Sequence, residues 1–361
     1  MLYRKYRPQT FSEVVGQEHV VKTLKGAIMS GRIGHGYLFM GPRGTGKTTI
    51  ARLLAKTLNC DKRTKDGDCD DFCDYCTAVR ENKSLDLIEI DAASQTGVDN
   101  IRELTDSAMV AAPGGKYKIF LIDEVHMLSK SAFNALLKTL EEPPAHVVFI
   151  LATTEVHKVL PTVLSRVQRF DFKRFTPSQI EGKLKDICRA EKLRIEGDGL
   201  MAIAISADGA LRDAEVSLSK LVATNDNNKE ISESNVYETL GLIPINYHPE
   251  FLSYILNKDK GSALDLINRI HSGGADLTQF TSGFVEYLRK ILINSINPAV
   301  LVSVGDELLD QDKKLIASYS QVLTSDQLVR MLNIFVSAKE GMKTSSISQL
   351  PLELAVLELI K

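Results

Sequence analysis

The sequence predicts an α/β fold built on a parallel sheet and followed by helical segments, and three observations carry that prediction. Five short runs in the first half, 35–40, 85–90, 117–122, 146–151 and 168–172, are apolar without strict alternation, as strands covered on both faces must be. Helical patterns lie between them, including 48–58, 98–109 and 131–142, so strand and helix alternate as in βαβ units. Beyond Phe175-Thr176-Pro177 no strand run stands out.

The change of pattern there predicts a first domain over 1–174. Residues 178–223 fit about three amphipathic helices, then come the polar stretch TNDNNKE and the Gly- and Pro-punctuated GLIPINYHP. A second domain over 175–241 and a third, all-helical one over 242–361 are expected. In the third, Phe280, Phe284, Leu288 and Leu292 form a stripe at helical spacing that reads as core. No internal repeat or low-complexity tail is visible.

Composition narrows the class. A chain of 361 residues with 44% hydrophobic and 25% charged residues is that of an ordinary soluble globular protein. Its net charge of -2 argues against bulk electrostatic coating of nucleic acid, so any DNA contact must come from a local patch. The N-terminus, MLYRKYRPQTF, lacks the run of about 7 to 15 apolar residues of a signal peptide. Nor is there a stretch of about 18 apolar residues to span a membrane, and a cytoplasmic chain without membrane contact is expected. In that compartment the four cysteines of CDKRTKDGDCDDFCDYC, residues 60–76, read as a metal or redox centre rather than disulfides. Zinc, an iron–sulfur cluster and redox thiols are all compatible with the residues. Cys188, in a helical pattern, reads as a small buried hydrophobe.

The chemistry sits in the first domain. Gly41-Pro42-Arg43-Gly44-Thr45-Gly46-Lys47-Thr48 follows a strand and opens a helix, the place where a phosphate-binding loop works. Its glycines turn backbone N–H groups inward and the helix N-terminus adds partial positive charge, with Thr49 next in line. Lys47 is expected to reach the β and γ phosphates of ATP and Thr48 to ligate Mg²⁺. At the end of the third strand, Asp123 is expected to complete the magnesium shell and Glu124 to polarise the attacking water. Thr153 and Thr154 end the next strand, where a residue sensing the γ-phosphate and ordinary turn chemistry are alternatives. Arg166 reads either as a surface arginine or as one acting in trans on a neighbouring subunit's γ-phosphate. The helix opened by Gly97, with Arg102, offers amides and a cation to DNA phosphates, against a plain solvated face.

Taken together, YRKYRPQTFSEVVGQEHVV, GPRGTGKTTIARLLAKTLNC, IDAASQTGVDNIREL, KIFLIDEVHMLSKSAFNALLKTLEEPP, ILATTEVHK, LSRVQRFDF and GALRDA resemble the bacterial DNA polymerase III gamma/tau family. These are the ATPases of the sliding-clamp loader, a part of the DNA-directed DNA polymerase III holoenzyme, whose activity as a whole is nucleotidyl transfer. The resemblance is dense over 1 to about 215 and thinner beyond. It implies an AAA+ module, an ATP-binding domain with a helical lid, followed by a helical collar that holds subunits in a ring. Arg212 matches the lid arginine that touches bound nucleotide and Arg166 the trans-acting finger. Tyr6, Arg7, Pro8, Val14 and Val15 match the segment packed around adenine. Implied partners are delta- and delta-prime-type loader subunits, the sliding clamp and primer-template DNA, with polymerase core and helicase only through a C-terminal extension.

The family also carries a cysteine module between its first helix and second strand. A polar insertion of roughly 25 residues, with Phe72 and Tyr75 its only aromatics, has too little apolar surface to fold alone, and one Zn²⁺ supplies the missing core. Cys60, Cys69, Cys73 and Cys76 are the implied ligands. The family spacing of the last three is Cys-x2-Cys-x2-Cys, whereas Cys69 and Cys73 here enclose three residues. Two other readings compete: a non-catalytic loader scaffold, which has no use for intact Lys47, Thr48, Asp123 and Glu124, and another AAA+ enzyme such as a branch-migration helicase. The cysteine module and Leu164-Ser165-Arg166 speak against the latter.

Overall fold

The computed structural model describes residues 1–94, 97–196, 198–224, 230–244, 246–298 and 310–360. A single turn, α1 (Leu2–Lys5), leads into α2 (Glu18–Met29), β1 (Gly36–Met40), α3 (Lys47–Leu58), α4 (Asp74–Arg80) and β2 (Leu87–Asp91). There follow α5 (Val98–Ala108), β3 (Lys118–Asp123), α6 (Lys130–Glu141), β4 (Val147–Thr153), α7 (Pro161–Leu164) and β5 (Gln168–Asp171). Each apolar run read from the sequence is a strand, and all pair in parallel in the order β2-β3-β4-β1-β5.

Burial on both faces explains why the runs lack strict alternation. Tyr37, Phe39, Ile119, Leu121, Val148 and Ile150 point to one side, onto Leu24 and Ile28 of α2 and Ile50, Leu54 and Leu58 of α3. Their neighbours Leu38, Phe120, Ile122, Phe149 and Leu151 point to the other, onto α5 and α6 through Ile101, Leu104, Phe133 and Leu136. With a two-residue repeat, a strand covered by helices on both sides must be apolar at odd and even positions alike. Each such side chain contributes roughly 1.5–3 kcal/mol relative to exposure, so the layered sheet is the rigid part on which the loops depend.

The chain divides into two units, Met1–Phe175 with Gly209–Asp213, and Thr176–Asp208 with Ala214–Lys361. In the second, α8 (Pro177–Glu191) starts at a capping box: the Thr176 hydroxyl accepts from the Gln179 N–H at 3.3 Å, and Gln179 Oε1 accepts from the Thr176 N–H at 3.0 Å. Pro177 sits at the start, where its missing N–H costs nothing. Then come β6 (Arg194–Ile195), α9 (Gly199–Ser206), α10 (Leu211–Thr224), whose first turn through Asp213 belongs to the first unit, β7 (Glu230–Ile231) and α11 (Glu233–Leu240). The parallel β6–β7 pair was not anticipated, because two residues are too short to show a period. Residues 225–229 of TNDNNKE and Ile245 of GLIPINYHP lie outside the described residues. Cys188 is buried in α8, and desolvation pushes its thiol up to about 11.

The remaining helices, α12 (Tyr247–Leu256), α13 (Lys260–Ser272), α14 (Leu277–Ile296), α15 (Asp310–Val322), α16 (Ser325–Met342) and α17 (Leu350–Leu359), share one core. Phe280, Phe284 and Leu288 are fully buried in it and Leu292 packs at its margin, as their spacing predicts. Phe284 meets Phe251 and Phe335 edge-to-face at 4.9 and 4.8 Å, the arrangement that aligns ring edge with ring face. No described helix is long and apolar enough to cross a membrane.

His248 stacks on Phe280 at 5.2 Å, and its buried Nε2 has no hydrogen-bond partner among the described residues. Desolvation lowers its pKa from 6.5 to about 4. Between those values the unfolded chain holds a proton that the folded one does not, so stability falls as pH falls from 6.5 towards 4. The His248→Leu variant is expected to lose less Tm than the parent between pH 7 and pH 4.5, measured by thermal unfolding followed by circular dichroism.

Candidate nucleotide site and cysteine cluster

The loop after β1 is shaped by glycines that no other residue replaces. Gly41 has φ +150°, and a Cβ there would lie 2.4 Å from the Phe172 carbonyl oxygen. At Gly44, with φ +76°, a Cβ would come within 2.7 Å of Ala210 Cβ. Gly46 precedes α3 and caps it with no side chain, which leaves the amides of the first turn unclaimed. The Thr45 hydroxyl donates to the Pro42 carbonyl at 2.8 Å, closing the loop on itself. Lys47 is buried and folded back, its ammonium donating to the Gly41 and Pro42 carbonyls at 2.8 Å each. Burial lowers its pKa, with Glu124 and Asp123 acting in the opposite direction. Arg43 is exposed at the tip and Thr49 half-buried in the first turn of α3.

The carboxyl ends of β1, β3 and β4 meet beside this loop, the side of a parallel sheet where ligands bind. Thr48 Oγ1 donates to Asp123 Oδ2 at 2.7 Å, while Asp123 Oδ1 accepts from the Glu124 N–H at 3.0 Å. Glu124 adopts a left-handed backbone, φ +49°, a conformation that a non-glycine residue holds at a cost. Its Oε2 accepts from the Thr154 hydroxyl at 3.1 Å. A residue that the sequence reading passed over, His126, completes the cluster: its buried ring has Nδ1 3.0 Å from Thr153 Oγ1 and 3.5 Å from Glu124 Oε2, and Nε2 3.4 Å from Glu155 Oε1. The structure does not bring Arg166 to this group. It donates instead to Glu141 Oε1 and the Thr162 carbonyl, both at 2.6 Å, and to Ser165 Oγ at 3.1 Å. Arg102 is exposed and pairs with Asp99 at 3.1 Å on α5.

The N-terminal arm and α3 line a cavity together. Its volume is about 610 Å³, and its lining includes Arg7, Pro8, Thr49 and Arg212, together with Tyr3 and Arg52. The Arg212 guanidinium lies 5.0 Å over the Tyr3 ring. Burial, then Arg52, hold the Arg7 guanidinium below the usual arginine range, with Glu89 opposing them. Tyr6 is half-buried, Val14 packs against the core of the sheet, and Val15 is exposed. Gln17, also missed, is fully buried: its amide donates to the carbonyls of Thr45 at 3.3 Å and Lys173 at 2.7 Å, and its Oε1 accepts from the Lys173 N–H at 3.2 Å. It ties the phosphate loop to the chain leaving β5.

The four cysteines form a buried cluster without disulfides, with Tyr75 packed on it and Phe72 exposed. Cys60 and Cys73 have Sγ atoms 3.9 Å apart. Four bonds of 2.3 Å in a tetrahedron place sulfurs about 3.8 Å apart, so this spacing fits zinc. The donor atoms of Cys60, Asp70, Cys73 and Cys76 all lie within 4.8 Å of one another. Asp70 is already engaged: its Oδ1 accepts from the N–H groups of Phe72 at 3.1 Å and Cys73 at 3.2 Å, and from the Cys60 thiol at 3.6 Å. Cys69 belongs to the same buried cysteine cluster, with its thiol 3.5 Å from the Gln9 carbonyl. Asp71, inside the Cys69–Cys73 loop, has a left-handed backbone with φ +65°.

Residues 16–176 match the family model for the DNA polymerase III delta subunit, and 231–361 the model for DNA polymerase III subunits gamma and tau domain III. The chain is 38% identical over 358 residues to DNA polymerase III subunit tau of Bacillus subtilis, covering 99% of this chain and 62% of that protein. It is 42% identical over 303 residues to the tau subunit of Salmonella typhimurium, covering 84% and 47%. The chain thus spans between about half and two thirds of the length of these tau relatives. DNA polymerase III subunit gamma of Buchnera aphidicola is 36% identical over 360 residues, covering 100% of this chain and 98% of that one. Among solved structures, the Thermotoga maritima RuvB Holliday junction branch migration motor is similar with a TM-score of 0.49 and 20% identity, covering 70% and 79%. The Bacillus subtilis clamp loader delta protein is similar with a TM-score of 0.43 and 14% identity, covering 94% and 98%. On the extent of these sequence matches, the chain belongs to the DNA polymerase III gamma/tau family.

Proposed function

We propose that this chain is an ATP-hydrolysing subunit of the bacterial DNA polymerase III clamp loader, using ATP to open the sliding clamp and place it on primed DNA. The observation that carries this is the hydrogen-bonded join between Thr48, which opens α3, and Asp123, which ends β3, with Glu124 and Thr154 linked beside it. A phosphate loop alone binds nucleotide; a loop joined to an ordered pair of carboxylates is arranged to hydrolyse it.

In this reading the loop amides and Lys47 bind the phosphates, Lys47 exchanging two backbone carbonyls for phosphate oxygens. Thr48 and Asp123 hold Mg²⁺, which neutralises phosphate charge when bound. Glu124 orients and polarises the water, and the Thr154 hydroxyl holds the Glu124 carboxylate in place. Tyr6, Arg7, Pro8, Val14, Val15 and Thr49 enclose the base end, and Arg212 touches the nucleotide from the lid. Arg166, paired with Glu141 in the single chain, is the finger that exchanges this partner for a neighbouring subunit's γ-phosphate. Residues 1–174 form the ATP-binding domain, 175–241 the lid and 242–361 the collar. Delta- and delta-prime-type subunits, the clamp and primer-template DNA are the partners, in the cytoplasm, and polymerase core and helicase join through any C-terminal extension. Cys60, Cys69, Cys73 and Cys76 hold Zn²⁺, and Asp70 orients Cys60 and the turn that carries Cys73.

Steady-state ATP hydrolysis by the chain assembled with its loader partners, with and without clamp and primed DNA, tests the function: strong stimulation requiring both is expected, and turnover indifferent to them rejects it. Lys47→Ala is expected to abolish ATP binding in equilibrium titration. Arg166→Ala is expected to keep binding and to lower turnover only in the assembled complex, on the order of a thousandfold. For the cysteine module, metal analysis is expected to find a single zinc ion per chain, and Cys76→Ser to lose it together with a drop in Tm.

A further inference from the structure

The cysteine module grips the N-terminal arm through its backbone. Asp68, buried next to Cys69, accepts from the Phe11 N–H at 3.0 Å and the Ser12 N–H at 2.9 Å, one on each carboxylate oxygen. Its Oδ1 also accepts from the Cys69 N–H at 2.9 Å, and Lys25 Nζ stands 3.5 Å from Oδ2. Lys56, buried in α3, makes a second link by donating to the Gln9 carbonyl at 2.8 Å while pairing with Asp71 of the cysteine loop. The Cys69 thiol is 3.5 Å from the same Gln9 carbonyl. A buried carboxylate held by three amides and an ammonium is fully satisfied where it stands and costly to displace.

This contact reaches the nucleotide site along the chain. Gln9 follows directly on Arg7 and Pro8, which wall the cavity shared with Thr49 and Arg212, and proline's fixed φ transmits the position of one to the next. We propose that Asp68 is a positioning residue for the nucleotide: the metal-bound module presents its carboxylate to the amides of Phe11 and Ser12, and so holds the arm that encloses the base. The proposal rests on the nucleotide reading above. It gives the cysteine insertion a task in the ATPase, because the backbone of Asp68 continues into the ligand Cys69. By linkage, metal loading and base binding then favour each other.

The test uses the full chain and two probes, ATP and inorganic tripolyphosphate, the second of which engages the phosphate loop but has no base. Asp68→Asn keeps the shape but replaces one of the two paired acceptors by a donor; Asp71→Asn weakens the second link at a residue that does not line the cavity and serves where Asp68→Asn fails to fold. Each variant is expected to bind ATP roughly tenfold more weakly, the loss of about one charge-assisted hydrogen bond, with tripolyphosphate affinity unchanged. Hydrogen exchange in the peptide spanning Gln9 to Glu13 should quicken in Asp68→Asn. Stripping the metal from the parent chain with a chelator should give the same split between probes. Unchanged ATP affinity in folded Asp68→Asn overturns the proposal, as does an equal loss for ATP and tripolyphosphate, which marks general loosening. A parent chain that binds neither probe overturns the nucleotide reading itself, and that result is seen before any variant is made.

Discussion

A parallel sheet buried on both faces leaves its strand ends as the place for polar chemistry, and the rest of this protein follows from that constraint. With Tyr37 and Phe39 facing α2 and α3, and Leu38 facing the opposite helix layer, β1 has no exposed side chain to offer. Its carboxyl end must carry the function, and there the chain turns through Gly41 into the phosphate loop. Asp123, Glu124, Thr153 and Thr154 are likewise the residues that finish β3 and β4 or come immediately after. The apolar layers fix the strand ends to within a hydrogen bond of one another, which is why Thr48 can reach Asp123 across 75 residues of sequence.

Four polar side chains that enter the interior of this unit hold backbone. The Gln17 amide donates to the carbonyls of Thr45 and Lys173, the Lys47 ammonium to those of Gly41 and Pro42 and the Lys56 ammonium to that of Gln9, while the Asp68 carboxylate accepts from the N–H groups of Phe11 and Ser12. Buried polar atoms need partners, and main-chain partners give each side chain a fixed segment to hold. The result is a frame in which the phosphate loop, the arm before α2 and the chain after β5 are fastened together by long-range side-chain bonds. Lys47 differs from the others in one respect: carbonyls attract an ammonium less strongly than phosphate does, so its bonds are suited to exchange.

The cysteine module solves a different problem with the same means. Between α3 and β2 the chain is too polar to bury a core, and thiols take the place of apolar side chains. Asp70 shapes the turn around Cys73, Asp71 turns through a left-handed backbone and pairs with Lys56, and Asp68 holds the arm. Three aspartates within four positions, Asp70, Asp71 and Asp68, thus serve a turn, a buried lysine and a neighbouring segment, which a count of cysteines does not reveal.

Local pattern determined much of this in the sequence alone. The strands were legible because burial on both faces writes itself as apolar runs, α3, α5 and α6 because their apolar stripes recur at helical spacing, and the phosphate loop because its glycines answer to short-range sterics. The resemblance of ordered motifs to a known family was likewise contained in the residues. The tertiary structure decided the placement of His126, Gln17, Asp68 and Asp70. These are single polar residues with no period, and Gln17 and Asp68 act on partners as far as 156 and 57 positions away. It also decided the two-residue pairing of β6 with β7 and the pairing of Arg166 with Glu141. Periodicity records which face of an element is buried, since that repeats along the chain. A buried hydrogen bond between distant segments depends on where the packed layers bring them, and only the folded arrangement contains that.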